Sequence, residues 1–146
     1  KVYGSTTAQS VVFDDTKKLI QSAVDGYNVC IFAYGQTGSG KTWTMTGDRE
    51  SPTNKGIMPR SFSEIFDIAA RDKDKIEISA SIYMLELYCG NLVDLLLERN
   101  DDEDVPPPPK IVIRKNKYGT IMPHGVVIKP ANSTEEMYKV RKSCRF

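Results

Sequence analysis

Gly35-Gln36-Thr37-Gly38-Ser39-Gly40-Lys41-Thr42 is the stretch on which the fold turns. Its spacing, G-x-x-x-x-G-K-[ST], is that of a loop that wraps phosphate groups. Gly35 and Gly40 let the backbone enter turn conformations closed to residues with a Cβ. Consecutive N–H groups of the loop, through Gln36, Thr37, Gly38 and Ser39, then converge as a nest for phosphate oxygens. Lys41 adds a mobile positive charge for the β- and γ-phosphates, and the Thr42 hydroxyl is placed to ligate Mg²⁺. A helix is predicted to open at about Gly40, so that the positive end of its dipole faces the same anion. The bland alternative is a glycine-rich surface turn that happens to precede a lysine.

Context separates the two. Such a loop follows a buried strand and opens a helix. Asn28-Val29-Cys30-Ile31-Phe32-Ala33-Tyr34 is an unbroken apolar, β-branched and aromatic run of strand length. Lys41-Thr42-Trp43-Thr44-Met45 supplies the first helical turns. Trp43, next to the loop, either touches a nucleotide's adenine or packs into the core at the start of that helix.

The chain's 146 residues suffice for one domain with a sizeable core, and 40% apolar with 27% charged residues is ordinary for a globular chain. A formal net charge of +1 gives no global field for nucleic acid or a membrane surface, so neither is an expected partner. No apolar run approaches the roughly 20 residues of a membrane span, and no signal peptide is visible. Cys30, Cys89 and Cys144 are widely spaced and form no zinc pattern. Cys30, inside the apolar run, reads as a buried thiol, and a reducing, cytoplasmic compartment fits such usage. With Lys1 rather than Met first, the chain is expected to be a processed or excised piece of something longer.

Working outward, Thr6-Thr7-Ala8-Gln9 has the form of a capping box, and Val12, Phe13, Leu19, Ile20, Ala23 and Val24 fall near one helical face. Gly26 supplies the stop. Helix, turn, strand, loop, helix is the order of an α/β fold. The polar stretch 47–54 reads as a loop, and residues 58–71 as a helix with Pro59 in its first turn and Ile65, Phe66, Ile68 and Ala69 buried. Residues 75–88 read as one long strand, and 92–97 as a short helical or extended turn packed on the core. Residues 98–109, acidic and then ending in four prolines, read as a solvated loop with a stiff exit; the alternative is an insertion for a basic or proline-recognising partner. Residues 110–114 and 120–123 flank a hairpin signal at Asn116-Lys117-Tyr118-Gly119, and Val126-Val127-Ile128 is a further short strand. Ser133-Thr134-Glu135-Glu136 opens a last helix through a capping box.

Asp25-Gly26-Tyr27-Asn28 running through the phosphate loop to Thr46-Gly47 resembles the signature region of a kinesin motor domain. Gly56-Ile57-Met58-Pro59-Arg60, Ile82-Tyr83-Met84-Leu85-Glu86-Leu87-Tyr88, Leu92-Val93-Asp94-Leu95-Leu96 and residues 133–136 resemble further family segments in the family's order. Tyr27-Asn28-Val29-Cys30 and the Tyr-Met-x-Glu-Leu-Tyr stretch are most similar to the minus-end-directed, C-terminal-motor group, near the calmodulin-binding kinesins. Cys89-Gly90 stands where the family usually has Asn-Glu.

The resemblance implies an α/β P-loop nucleotide triphosphatase with a kinesin- or myosin-like mixed sheet flanked by helices. Residues 1–146 would be its central portion, from the first helix through the start of the third. It implies ATP or ADP with Mg²⁺ at residues 35–43, Thr42 on the metal, and microtubules as track. It also implies a cytoplasmic, cytoskeletal setting, with calmodulin or other partners outside this segment.

The chain contains neither N-x-x-S-S-R nor D-x-x-G-x-E, the family's switch motifs, nor the adenine-contacting R-x-R-P. Hydrolysis needs a positioned water and a second carboxylate on the Mg²⁺ shell. Hence the competing expectation of a catalytically inactive fragment acting as a structural or interaction module. Glu86 and Asp94 are the acids on predicted core elements, and both read as structural. His124 reads as a surface turn residue. Lys110, Arg114, Lys115 and Lys117 form either a solvated hairpin or, as the resemblance implies, a minor contact with tubulin's acidic surface. An apolar strand such as 29–34 cannot stay unpaired, so its neighbours are expected from a larger motor or from oligomerisation.

Overall fold

The computed structural model describes residues 1–48, 50–98, 109–117 and 119–144. It divides into two units, Lys1–Ile78 and Ser79–Phe146. The acidic and proline-rich run lies outside the described residues except for Glu98 and Pro109, as does Tyr118 of the hairpin turn.

The first unit is built on two helices. Helix α1 is Gln9–Val24, and Asp25 with Gly26 (φ 96°) ends it as the glycine signal implies. Its N-terminus differs from the capping-box reading. Ala8 is the N-cap, no side chain caps it, and Gln9 is drawn into the interior. The amphipathic face is as expected in outline: Phe13 and Ile20 are buried, Val12 and Val24 partly so, while Leu19 stays 41% exposed. Helix α2, Lys41–Met45, is short. Helix α3, Ile57–Arg71, carries Pro59 in its first turn, where the missing N–H is no loss. Ile57 and Ile68 of α3 close on Phe13 and Ile20 of α1, with Ile31, Met45 and Ile65 at the margin. Full burial of each such side chain stabilises by about 1.5–3 kcal/mol. Buried Glu64 is answered by Lys17 at 2.9 Å, which joins the two helices a second time.

Between α2 and α3 the polar stretch is a loop, as read, and its neck is clasped by backbone. Asp48 N–H donates to Asn54 O at 2.9 Å, Gly56 N–H donates to Thr46 O at 3.1 Å, and Gly47 bridges Lys55. Arg60 of α3 adds two donations, Nε to Lys55 O and Nη2 to Thr53 O, each 2.8 Å.

The apolar run 28–34 is the main departure within this unit. It is not a strand, because among the described residues nothing pairs with it. Val29 and Ile31 turn inward, while Phe32 is 87% exposed and Tyr34 fully so. Cys30, read as a buried thiol, is exposed for the same reason: its face of the run has no cover.

Residues 75–88, which begin in the first unit, do not form one strand. Among the described residues, β1, Ser81–Ile82, and β2, Leu85–Tyr88, find partners in the second unit, and the remainder of the stretch has no ladder. Strand β3, Asn91–Asp94, pairs antiparallel with β2 through a two-residue turn in which Cys89 (φ 47°) and Gly90 (φ 79°) are both left-handed. The departure from Asn-Glu at Cys89-Gly90 thus sits in a tight hairpin turn. Leu95 and Leu96 follow and are buried. Strands β4, Val112–Lys115, and β5, Ile121–His124, form the expected hairpin, whose turn is held by Asn116 N–H on Thr120 O at 2.8 Å. Strand β6, Lys129–Pro130, lies just beyond the Val126–Ile128 run expected as strand, and pairs with β1. Helix α4, Thr134–Lys142, is N-capped by Ser133 as read: Ser133 Oγ accepts from Glu136 N–H at 3.1 Å. Glu136 reaches back one residue further than a standard box, accepting from Asn132 N–H at 2.7 Å.

Candidate functional site

The phosphate loop joins the unpaired run 28–34 to α2. It turns back on itself through Ser39 N–H donating to Gln36 O at 3.1 Å. Gly35 has φ 154°, a conformation that strains any residue with a Cβ, and a Cβ there would also lie 2.3 Å from Ser39 Oγ and 3.1 Å from Ser39 Cβ. Gly40 is the N-cap of α2 and takes the left-handed conformation, φ 91°. The helix therefore starts at Lys41, within a residue of where the sequence places it.

The Lys41 side chain folds back over the loop. Its Nζ donates to Gly35 O and to Gln36 O, each at 2.8 Å. The ammonium is thus held at the loop's mouth by two carbonyls, where a phosphate oxygen would meet it. The first N–H groups of α2 belong to Lys41, Thr42 and Trp43, which lack intrahelical acceptors by geometry, and no side chain caps them. These donors and the ammonium make the mouth suited to an anion. The five-residue helix carries only a short dipole, so hydrogen bonds dominate over the dipole assumed from the sequence.

Thr42 is exposed beside Lys41. Among the described residues no group of three or more His, Cys, Asp or Glu could hold a metal ion. That donor set fits Mg²⁺ only as an ion that arrives with phosphate oxygens and water and accepts one protein hydroxyl. Trp43 is 49% exposed, so the core-packing reading does not hold for its indole. Its carbonyl accepts from Gln9 Nε2 at 2.7 Å.

The other residues singled out lie in the second unit. Glu86 is exposed on β2. Asp94 is structural: one oxygen accepts from Leu96 N–H at 2.8 Å and the other from Val127 N–H at 2.6 Å. His124 is exposed at the end of β5 rather than in a turn. Lys110, Arg114, Lys115 and Lys117 are exposed on and around the β4–β5 hairpin. Gln9 and Arg60 were missed as parts of the site's surroundings. For Gln9 the signal was a polar residue on the same face as Phe13 and Ile20, masked by its place in an apparent capping box.

Comparison with known proteins agrees with the geometry. The kinesin motor domain family model matches residues 1–145. A kinesin-like protein, KIN-14I of Oryza sativa subsp. japonica, is 47% identical over 137 residues, covering 94% of this chain and 10% of the relative. KIN-14E of Arabidopsis thaliana, also kinesin-like, is 44% identical over 137 residues with the same two coverages, 94% and 10%. Among solved structures, the motor domain of the Kar3-like kinesin from Ashbya gossypii superposes with a TM-score of 0.76 at 30% identity, covering 95% of this chain and 41% of that one. The chain therefore spans about a tenth of the length of these curated relatives.

Proposed function

Since this chain belongs to the kinesin motor-domain family, we propose that it is the nucleotide-binding portion of a microtubule-based motor, whose ATP hydrolysis drives movement in the intact protein. Residues 1–146 form a continuous part of one motor domain on this reading. The likenesses to KIN-14 proteins and to a Kar3-like kinesin support the C-terminal-motor group.

The observation that carries the reading is the Lys41 ammonium held across the loop mouth by Gly35 O and Gln36 O, beside the uncapped N–H groups of α2. A nucleotide's β-phosphate replaces those two carbonyls as the partner of Nζ. Residues 35–42 cradle the phosphates of ATP or ADP, and Trp43, half-exposed beside them, is within the nucleotide's surroundings. The Thr42 hydroxyl would be this chain's ligand to Mg²⁺, which when bound would supply neutralisation of phosphate charge. Microtubules are the track, and the basic hairpin side chains Arg114 and Lys115 offer a minor contact to an acidic surface. Calmodulin and other partners belong to sequence outside these residues, and the setting is the cytoplasmic cytoskeleton.

Titration calorimetry with MgADP tests the site. Replacing Lys41 with Ala removes a charge-assisted contact of about 1.5–3 kcal/mol, so affinity is expected to fall roughly 10- to 150-fold. Equal affinities for both chains would sink the assignment.

One observation favours a second reading for the isolated chain, an inactive structural or interaction module. Asp94 has both oxygens engaged by backbone N–H groups, and Glu86 is on an exposed hairpin. Neither is a ready second carboxylate for Mg²⁺. Microtubule-stimulated phosphate release by the 146-residue chain alone would eliminate this reading.

A further inference from the structure

Gln9 and Glu64 are the buried polar or charged side chains among the described residues. Glu64 is matched by Lys17. Gln9, 6% exposed at the first position of α1, sends its Nε2 to a residue 34 positions away, the backbone carbonyl of Trp43, at 2.7 Å.

That carbonyl needs a partner from outside its own helix. In a continuing α-helix, Trp43 O would accept from Gly47 N–H. Here Gly47 N–H donates instead to Thr42 O at 3.1 Å, where Thr46 N–H also donates at 2.8 Å. Trp43 O is left as one of the helix's terminal acceptors, and Gln9 supplies the missing donor.

Helix α2 depends on such outside contacts. Five residues are far too few for a helix to be stable by itself, and α2 has no buried residue. α1, by contrast, has 16 residues and is fixed to α3 through Phe13 and Ile20. The Gln9 amide is therefore a strut from a rigid element to a weak one. It attaches one residue after Thr42 and two after Lys41.

We propose that Gln9 is a positioning residue, whose carboxamide fixes the orientation of α2 and so aims Lys41 and Thr42 at the bound phosphates. The consequence for affinity rests on the nucleotide reading above; the strut itself does not.

Two measurements on the 146-residue chain test this separately. Gln9→Met keeps the side chain's length and removes the donor. In the unliganded chain, amide hydrogen exchange at Thr44, Thr46 and Gly47 is expected to quicken about two- to tenfold, with the amides of α1 and α3 unchanged. MgADP affinity, read by calorimetry, is expected to fall by a similar factor. Gln9→Glu, the same shape with an acceptor facing the carbonyl, is expected to give the larger effect on both. It also decides the matter if the Met variant folds poorly.

Unchanged exchange at 44–47 would overturn the proposal, as would acceleration spread evenly through all three helices, which is what a mere packing role gives. Faster local exchange with undiminished MgADP affinity would overturn its link to the phosphates. A parent chain that does not bind MgADP would fail the nucleotide reading, while the exchange data would still decide the strut.

Discussion

Among single residues, Lys41 carries the proposed nucleotide site. Its two carbonyl partners satisfy the ammonium and hold the loop's curvature around Ser39. On the proposed reading, exchange for phosphate oxygens would replace two neutral acceptors with charged ones, a gain in hydrogen-bond strength. Cys144 illustrates a contrasting residue. Its Sγ sits 2.9 Å from Met84 Sδ, and its S–H also faces Val140 O at 3.4 Å. Burial pushes the Cys144 thiol up, against the smaller opposing pull of Arg141 and Lys129. Thiolate is the reactive form, so Cys144 is expected to be alkylated more slowly near pH 8 than exposed Cys30 and Cys89. Time-resolved labelling with peptide mass analysis checks this, and first labelling at Cys144 would refute it.

Among elements, the clasp between α2 and α3 leaves no room for a side chain at Gly56. A Cβ on Gly56 would lie 2.6 Å from Thr44 O and 2.7 Å from Gly47 N, both backbone atoms that cannot turn away. Gly56→Ala is therefore expected to destabilise the chain by about 1–3 kcal/mol, read as a lower urea midpoint. An unchanged midpoint would show that the clasp is not rigid. Helix α1 was legible from its periodicity and the stop at Gly26, α3 from its apolar face and Pro59, and α4 from the Ser133 cap, all local signals. The β4–β5 hairpin was legible from its Asn and Gly turn residues. Residues 28–34 and most of 75–84 read as strands and are not, since a ladder depends on partners that no local pattern reveals. The glycine-rich loop and the start of α2 were legible from the G-x-x-x-x-G-K-[ST] spacing. The Gln9–Trp43 bond was not, because Gln9 three residues after Thr6 gives an equally good local explanation.

At the scale of the whole molecule, the run 28–34 places exposed Phe32 and Tyr34 next to the phosphate loop, with backbone groups unpaired on both sides among the described residues. An unpaired apolar run of this kind is open to strand addition. The chain is similar along 95% of its length to a solved kinesin motor domain. Family membership rests on residues 1–145, whereas the proposed nucleotide binding rests on residues 35–43. The most direct test of that central claim is a titration of the ¹⁵N-labelled chain with MgADP, followed amide by amide. The expected result is saturable shifts concentrated at Gly38, Gly40, Lys41 and Thr42, and lost in Lys41→Ala. Shifts that fall elsewhere, or none at all, would contradict the account.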